Sequence, residues 1–289
     1  MKPAPFQLHI PSTLEEAVGL LSQHGEEAKV LAGGQSLVPL MALRLARYEH
    51  LVDVNRIAAL QGIAREGGWL TIGAMTRQTT AEAHRDVALV PLLHQALPLI
   101  GHFQIRNRGT VGGSTAHADP ASELPAVALA LDAEMVIHGP AGGRVVPARE
   151  FFVSTWTTGL KPDEILTAVR YPVWPGHCGF ALEEFARRSG DFAIAGVACG
   201  LEVDQDGDVA RAAIAYFGMA PTAVRASAAE AALVGSPARG ADLAEIARLA
   251  ASNTDPGDDI HGSAGFRRRV AAHLTERALE RALRESIHA

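Results

Sequence analysis

The sequence predicts an α+β protein of two or more domains. The chain has 289 residues, and at roughly 100–200 residues per domain this length favours about two domains. Residues 172–176 contain two prolines and a glycine, which is typical of a linker. Before this segment short strands and helices follow one another, and after it two alternating apolar segments precede several helices. We therefore place one domain boundary at residue 175.

The composition excludes several classes of protein. Hydrophobic residues make up 48% and charged residues 20% of the chain, as in ordinary globular proteins. The net charge is −6, whereas general nucleic-acid binders usually carry a basic excess. Cys178 and Cys199 are the only cysteines, which excludes a disulfide scaffold and a four-cysteine metal or iron–sulfur site. No apolar run reaches ~18 residues, and residues 1–5 lack the apolar core of a signal peptide. We expect a cytoplasmic protein without a membrane span.

Residues 1–57 are predicted to form a first unit of short strands and helices. Ser12 and Glu15 fit a capping box, with Ser12 as the N-cap of a helix. Leu14 and Leu21 lie on one face of that helix, and Gly25 is typical of its C-terminal end. The further elements predicted here are a strand at 29–32, a helix at 37–45 and a strand at 51–54.

Residues 58–175 are predicted to form a second unit, and residues 176–289 a third. In the third unit, apolar residues alternate on either side of the acidic turn 204–208, which predicts an antiparallel hairpin. In the second unit we predict strands at 70–74 and 165–171, helices at 91–100 and 124–131, and a hairpin around the turn 139–143. In the third unit we predict helices at 226–234, 242–252 and 266–287.

Familiar catalytic and metal motifs are absent from the sequence. No stretch fits the phosphate loop of nucleotide hydrolases, the dinucleotide fingerprint or the serine-hydrolase motif. The acidic run 204–208 lacks the glycine and glutamate positions of a calcium loop, so a turn is the favoured interpretation. The twelve histidines show no metal-binding spacing. His117 and Asp119 could bind a metal, but we favour a loop histidine and a helix N-cap. We therefore predict no metal ligand on this chain.

Two glycine-centred turns, 32–36 and 109–114, are the strongest candidates for a binding site. Glycines let a ligand approach the backbone closely, and successive amides in such turns can bind a phosphate. The first turn leads into a predicted helix whose N-terminus favours an anion. An acidic chain with three lysines would have to bind a pyrophosphate mainly through backbone dipoles. The alternative is that paired glycines simply make tight turns.

At these residues the sequence resembles the medium, FAD-binding subunit of molybdenum hydroxylases, such as carbon monoxide dehydrogenase and the xanthine dehydrogenase group. The motifs that carry the resemblance are 32–37, 104–107, 110–114, 117–125 and 190–194. The resemblance implies a two-part FAD-binding domain of the vanillyl-alcohol-oxidase (PCMH) type at 1–57 and 58–175. It also implies a smaller α+β domain at 176–289, of the carbon monoxide dehydrogenase flavoprotein type, with an antiparallel sheet and helices.

The resemblance also implies the residues that bind FAD. The first turn would hold the pyrophosphate and ribityl region, and its residues are Leu31, Ala32, Gly33, Gly34, Gln35, Ser36 and Leu37. Thr110, Gly113 and Ser114 match the second FAD segment of the family. Glu123 matches an acidic residue that hydrogen-bonds the cofactor hydroxyls. Ile100 matches a side chain that covers the flavin ring, and Leu166 matches a backbone group that meets the ring edge. We name no catalytic acid or base on this chain.

The sequence departs from the family at two places. Gln35 stands where many relatives have histidine or asparagine, and no histidine or cysteine is placed for covalent attachment, so we predict non-covalent FAD. Some relatives carry a lysine near the flavin in the segment that here is 180–185 and contains Glu184. A glutamate cannot stabilise a reduced, anionic flavin as a lysine would, which leaves the flavin potential and the electron acceptor open.

The resemblance implies electron transfer within a heterotrimer. Electrons would pass from [2Fe–2S] clusters on a small subunit through FAD on this chain to an acceptor such as NAD or oxygen. The molybdenum cofactor would lie on a large subunit. Two alternatives remain, a stand-alone flavin-dependent oxidase or dehydrogenase of the same fold and a scaffold that has lost FAD. Arg106 is interpreted as the partner of a carboxylate or phosphate, with contact to the small subunit or to the cofactor as the other hypothesis.

Overall fold

Three β-sheets of three, five and four strands, with helices packed on them, make up the computed structural model, which describes residues 2–288. A two-stranded ribbon completes the β structure of this range. The α+β class predicted from the sequence is confirmed. Among residues 2–288 no helix is long and apolar enough to cross a bilayer.

The N-terminal sheet is parallel, with strand order β1-β3-β2. Its elements are β1 (Gln7–His9), α1 (Leu14–His24), β2 (Ala28–Leu31), α2 (Leu37–Ala42) and β3 (His50–Asp53). Helix α1 packs its apolar face, including Ala17 and Leu21, against Val52 of the central strand. The N-cap is Thr13 and not the predicted Ser12. The Thr13 hydroxyl accepts the backbone N–H of Glu16 at 3.1 Å, and the Glu16 carboxylate accepts the N–H of Ser12.

The predicted helix at 37–45 ends three residues early, at Ala42. Arg44 takes a left-handed backbone conformation with φ 61°, which a continuing helix cannot accommodate. The amides of Leu45 and Ala46 instead fold back onto the carbonyl oxygen of Leu40. The chain therefore leaves α2 in a tight loop that leaves Leu45 exposed.

The second sheet has strand order β4-β5-β10-β6-β7, with antiparallel neighbours throughout. Its region begins with β4 (Ile63–Glu66), β5 (Trp69–Gly73), α3 (Gln78–Glu82), α4 (Pro91–Ala96), α5 (Phe103–Arg106), α6 (Val111–His117) and α7 (Glu123–Ala130). It continues with β6 (Glu134–Gly139), β7 (Gly142–Pro147), α8 (Ala148–Phe151), β8 (Phe152–Ser154), β9 (Thr157–Thr158) and β10 (Ile165–Pro172). The predicted helix at 91–100 is α4 followed by a 3-10 turn, Leu97–Leu99.

The third sheet is antiparallel, with strand order β11-β12-β13-β14. Its region consists of β11 (His177–Phe185), β12 (Ala195–Val203), β13 (Val209–Phe217), β14 (Val224–Arg225), α9 (Ser227–Leu233), α10 (Leu243–Ser252) and α11 (Ala264–His288). The acidic run is a hairpin turn, as predicted. The Asp204 carboxylate accepts the amides of Asp206 and Asp208 at 3.0 and 2.9 Å, and Gly207 has φ 87°.

Helix α7 joins the second and third regions through a common core. All eight of its residues are buried, and it contacts β12 and β13 of the third sheet as well as α4. The edge strand β11 is held by Gln95 of α4, whose side chain donates to the carbonyl oxygen of Phe180 and accepts the amide of Leu182. One hydrophobic cluster accordingly contains residues from both sides of the predicted boundary at 175.

Candidate functional site

The two glycine-rich segments predicted from the sequence lie against each other. A Cβ atom built on Gly113 would stand 3.3 Å from the Cβ of Ala32. A Cβ built on Gly33 would stand 2.9 Å from the Cα of Gly109, which is too close for any side chain. Two backbones can approach this closely only where both lack bulk. The glycines at these contacts thus allow the segments 32–36 and 109–114 to lie together in one site.

The first segment presents free backbone donors. Within the described part of the chain, the amides of Gly33, Gly34, Gln35 and Ser36 have no hydrogen-bond acceptor in the protein. Gly34 has φ 75°, a conformation that suits glycine and turns the chain from β2 toward α2. The Gln35 side chain donates to the carbonyl oxygen of Gly33 at 3.1 Å and stabilises this turn. Four successive unpaired amides form a site that favours an anion.

The second segment differs from the expectation of a turn with free amides. It is the start of helix α6, and the hydroxyl of Thr110 caps it by accepting the amide of Gly113 at 3.0 Å. The amides of Val111, Gly112 and Ser114 are bonded to backbone carbonyl oxygens. This segment therefore offers close approach at Gly113 and the hydroxyls of Thr110 and Ser114, while amide donors come from the first segment.

Arg77 links the two segments. Its guanidinium donates one hydrogen bond to the carbonyl oxygen of Arg108 and another, of 2.7 Å, to the side-chain oxygen of Asn55. The Asn55 side chain in turn donates to the carbonyl oxygen of Ala32 at 2.8 Å. Burial, followed by the charge of Arg108, lowers the pKa of Arg77, but an arginine stays protonated in any case. The link therefore remains intact across the physiological pH range.

Glu123, the first residue of α7, is a buried carboxyl group. Burial, with a further contribution from the charges of Glu184 and Asp119, raises its pKa to about 8. At neutral pH it is therefore protonated and can donate a hydrogen bond as well as accept one. Glu184 lies in β11, and burial raises its pKa to about 7. One of the Glu184 carboxylate oxygens is buried without a partner among the described residues.

Ile100 and Leu166 are both buried residues of the second region. Ile100 is buried, and its carbonyl oxygen accepts a hydrogen bond from Arg106 at 3.2 Å. Leu166 is buried in β10. Its neighbour Thr167 accepts the amide of Ala74, and the carbonyl oxygen of Ala74 accepts the amide of Gly112. Two backbone hydrogen bonds thus connect β10 to the start of α6.

Arg106 and Asp119 have structural roles. Arg106 forms an ion pair of 2.9 Å with Glu82 and a hydrogen bond of 3.0 Å with the carbonyl oxygen of Gly101, which confirms its interpretation as a carboxylate partner. The prediction that Asp119 caps the following helix is wrong, because the N-cap position is held by Ser122. Asp119 accepts the amide of Ala121 and the indole N–H of Trp156 instead.

Asn55 and Arg77 are not among the site residues predicted from the sequence. Asn55 lies in a 3-10 turn after β3, and Arg77 stands immediately before α3. Neither position belongs to a recognisable motif, and 22 residues separate them. The sequence signal for Asn55 is a short polar residue soon after a buried strand, and this pattern is as typical of a turn as of a binding site.

The described residues fit a dinucleotide. The four free amides of 33–36 suit a pyrophosphate, whose charge they compensate without lysines. The hydroxyls of Thr110 and Ser114 and the protonated carboxyl of Glu123 suit ribityl or ribose hydroxyls. A larger residue at Gly33 or Gly113 would fill the space between the two segments. The expected site is thus chemically consistent with FAD.

Comparison with known families gives two matches that together cover most of the chain. Residues 4–174 match the FAD-binding domain in molybdopterin dehydrogenases. Residues 180–282 match the C-terminal domain of carbon monoxide dehydrogenase flavoproteins. The two matches follow one another in the order that the sequence motifs indicate.

Individual proteins are similar over almost the full length. The alpha subunit of the 6-hydroxypseudooxynicotine dehydrogenase complex of Paenarthrobacter nicotinovorans is 41% identical, covering 98% of this chain and 96% of its own. The medium chain of carbon monoxide dehydrogenase of Hydrogenophaga pseudoflava is 40% identical, covering 98% of both chains. A solved carbon monoxide dehydrogenase structure from the latter organism matches with a TM-score of 0.96, 42% identity and 99% coverage of both chains. Quinoline 2-oxidoreductase from Pseudomonas putida 86 matches with a TM-score of 0.93 and 35% identity, covering 99% of this chain and 100% of that one.

Proposed function

This chain belongs to the family of FAD-binding subunits of molybdenum hydroxylases, and we propose that it passes electrons from [2Fe–2S] clusters of a small subunit to an external acceptor. The cofactor of such a domain, FAD, supplies the redox chemistry when bound. The chain itself supplies position, charge compensation and exclusion of water. The observation that carries the proposal is the contact between the two glycine segments, one of which has four free amides.

The proposed cofactor site uses the residues expected from the sequence. The residues of the first segment, which would hold the pyrophosphate and ribityl region, are Leu31, Ala32, Gly33, Gly34, Gln35, Ser36 and Leu37. The hydroxyls of Thr110 and Ser114 and the carboxyl of Glu123 would orient the cofactor hydroxyls. The side chain of Ile100 would cover the flavin ring, and a backbone group of Leu166 would meet the ring edge. Attachment would be non-covalent, since residues 31–37 contain neither histidine nor cysteine.

The chain requires partners for this role, because the proposed electron donor is not part of it. We propose a large molybdenum-cofactor subunit and the small [2Fe–2S] subunit as partners, and NAD or oxygen as the acceptor. Exposed apolar side chains support docking beside the first glycine segment. Val38, Leu43 and Leu45 lie in or just after α2, and Leu45 is 73% exposed. Exposed apolar side chains this close together in the sequence favour a protein interface.

The proposal includes the organisation and location of the chain. The first part of the FAD domain would comprise residues 1–57 and the second part residues 58–175. The separate parallel and antiparallel sheets of these two ranges support this division. A cytoplasmic location is supported by the two cysteines, since Cys178 and Cys199 are both free and thiols stay reduced there.

An absorption spectrum of the chain purified with the products of neighbouring genes tests the proposal. Flavin and iron–sulfur bands in one complex, both bleached by dithionite and restored by the acceptor, are the expected result. Oxidation of an alcohol by the isolated chain would favour a stand-alone flavin oxidase instead. A complex that assembles without flavin, even after FAD is added, would contradict the proposal and favour a scaffold.

A further inference from the structure

Three histidines that are far apart in the sequence meet at one end of the N-terminal sheet. His9 is the last residue of β1, His24 the last residue of α1 and His50 the first residue of β3. The Nε2 atom of His9 and the Nδ1 atom of His50 are 3.1 Å apart. The ring of His24 stacks on that of His50 with centroids 3.7 Å apart. One nitrogen from each of the three rings lies within 4.8 Å of the other two.

The register of the sheet explains this meeting. In the parallel pairing, Gln7 of β1 lies opposite His50, so His9 is a diagonal neighbour of His50 on the same face. That face is the one on which α1 packs, because Val52, two residues after His50, contacts the buried side of α1. The C-terminal residue of α1, His24, therefore arrives above the same two histidines.

From this geometry we propose that His9, His24 and His50 bind one divalent transition-metal ion, of which Zn²⁺ is the representative. Imidazole nitrogens are preferred ligands of Zn²⁺ and of neighbouring first-row ions. With Zn–N bonds of about 2.0–2.1 Å, ligand nitrogens of a tetrahedral site lie roughly 3.4 Å apart. The separation between His9 and His50 already approaches this value.

The exposure of the three histidines is compatible with a metal ion. All three histidines are half-buried, so an ion can reach them and the rings have room to turn. The stacked rings of His24 and His50 must tilt apart for both nitrogens to point at one ion.

Acidic residues beside the cluster can complete the coordination. The carboxylates of Glu27 and Glu49 and a nitrogen of His50 also lie within 4.8 Å of one another. The backbone holds them there, because the amide of Glu49 donates to the carbonyl oxygen of Glu27 at 3.0 Å. One carboxylate as the fourth ligand would reduce the net charge of the site to +1.

The proposed metal site is separate from the glycine segments. His50 pairs with Ala28 at the first residue of β2, whereas Gly33 lies two residues beyond Leu31, the last residue of the same strand. At about 3.3 Å per residue, the strand from Ala28 to Leu31 alone separates them by roughly 10 Å. The ion would tie β1 and the end of α1 to the central strand. Its expected role is structural stabilisation of the N-terminal region, and it does not depend on the proposed function.

Calorimetric titration with Zn²⁺ tests the site on the full chain, produced without a histidine tag and treated with a chelator. We expect one ion per chain and a rise in melting temperature. His9→Gln and His24→Gln should each weaken Zn²⁺ binding by at least roughly tenfold. Changing a residue that only supports a ligand already costs about tenfold in metal affinity, and here the ligand itself is lost. His94→Gln is the matched control, since His94 is an exposed histidine outside the cluster, and it should bind like the unchanged chain.

Two measurements keep the test decisive if a variant folds poorly. Co²⁺ added to the unchanged chain should give the visible bands of a tetrahedral site, and Mg²⁺ should not bind, because it prefers oxygen ligands. Absence of Zn²⁺ binding by the unchanged chain would overturn the proposal. The same holds if the His9→Gln/His24→Gln double variant binds as tightly as the unchanged chain.

Discussion

The guanidinium of Arg77 donates a hydrogen bond of 2.7 Å to the side-chain oxygen of Asn55, and through this contact one arginine reaches both glycine segments. Asn55 holds the carbonyl oxygen of Ala32, and a second donor of Arg77 holds that of Arg108. The two segments are thus fixed relative to each other before any ligand arrives, which lowers the ordering cost of binding.

Arg77→Ala should weaken FAD binding. Hydrogen bonds to a charged group contribute about 1.5–3 kcal/mol, so the loss should be roughly tenfold to a hundredfold in affinity. Quenching of flavin fluorescence during titration measures it. Arg77→Lys should not restore binding, because an ammonium group cannot reproduce the planar fork.

The matched control for this prediction is Arg85→Ala, since the side chain of Arg85 is 93% exposed. If Asn55 and Arg77 act as a unit, Asn55→Ala combined with Arg77→Ala should cost less than the sum of the two single changes. Equal FAD affinities for Arg77→Ala and Arg85→Ala would show that the link does not organise the site.

Gly113→Val should abolish FAD binding and leave most of the fold in place. A Cβ on Gly113 would lie 2.6 Å from the Thr110 hydroxyl oxygen and 3.3 Å from the Cβ of Ala32. A branched side chain therefore disrupts the cap of α6 and forces the two segments apart. The ratio of flavin to protein absorbance measures the effect. Gly257→Val serves as control, because no atom lies within 4 Å of a Cβ there. Retained yellow colour at normal stoichiometry would remove Gly113 from the site.

Glu123→Gln should flatten the pH dependence of stability in the FAD-free chain. Burial raises the pKa of Glu123 from 4.5 to about 8, and Glu184 and Asp119 are the acidic groups that add to this shift. Between these pH values the unfolded chain has released a proton that the folded chain still holds. The contribution of Glu123 to stability is therefore complete below pH 4.5 and is lost as the pH rises toward 8.

Urea unfolding at pH 5 and pH 8 measures this difference. The free energy of unfolding of the unchanged chain should fall relative to that of Glu123→Gln, by an amount on the order of a few kcal/mol. Glu150→Gln is the control, since the side chain of Glu150 is 63% exposed. A parallel pH dependence in the unchanged chain and in Glu123→Gln would contradict the protonated state of Glu123.

Leu45→Glu should weaken assembly with the partner subunits while leaving FAD binding intact. Leu45 is 73% exposed, so a charge costs little in the isolated chain but must be desolvated in an interface. Size-exclusion chromatography of the co-expressed complex measures the change. Ile260→Glu, at an 87% exposed position in the third region, should assemble normally. Normal assembly of Leu45→Glu would place the interface elsewhere.

The sequence predicted the fold where local signals agreed with one another. The hairpin around 204–208 combines alternating strands with a turn rich in aspartate and glycine, and it is confirmed. The family and its FAD-binding domain are confirmed as well, since the motifs lie in the expected order along the chain. The N-cap was one residue off because Ser12 and Thr13 are both suitable caps, and the backbone conformation that separates them is not encoded in the residue types.

Long-range geometry could not be predicted from the sequence. His9, His24 and His50 lie on three elements, and the register of β1 with β3 and the packing of α1 on that sheet bring them together. Arg77 and Asn55 also come together only in the folded chain. Asn55 lies in a 3-10 turn after β3, and Arg77 lies immediately before α3. The sequence predicts a turn for the second glycine segment because glycine is rare in helices. In the structure Val111–His117 is helical and capped by Thr110. The close approach of Gly112 to Ala74 requires a residue without a side chain there.

Because α7 is completely buried, the chain cannot be divided into two stable parts near residue 175. A cut near residue 175 would expose one side of a fully buried, mostly apolar helix, together with the strands β12 and β13 that cover it. Neither half would then remain soluble by itself, and a nick by a protease in this segment would not release separate pieces. The two matched segments, 4–174 and 180–282, are therefore expected to unfold in one cooperative transition rather than in two separate ones.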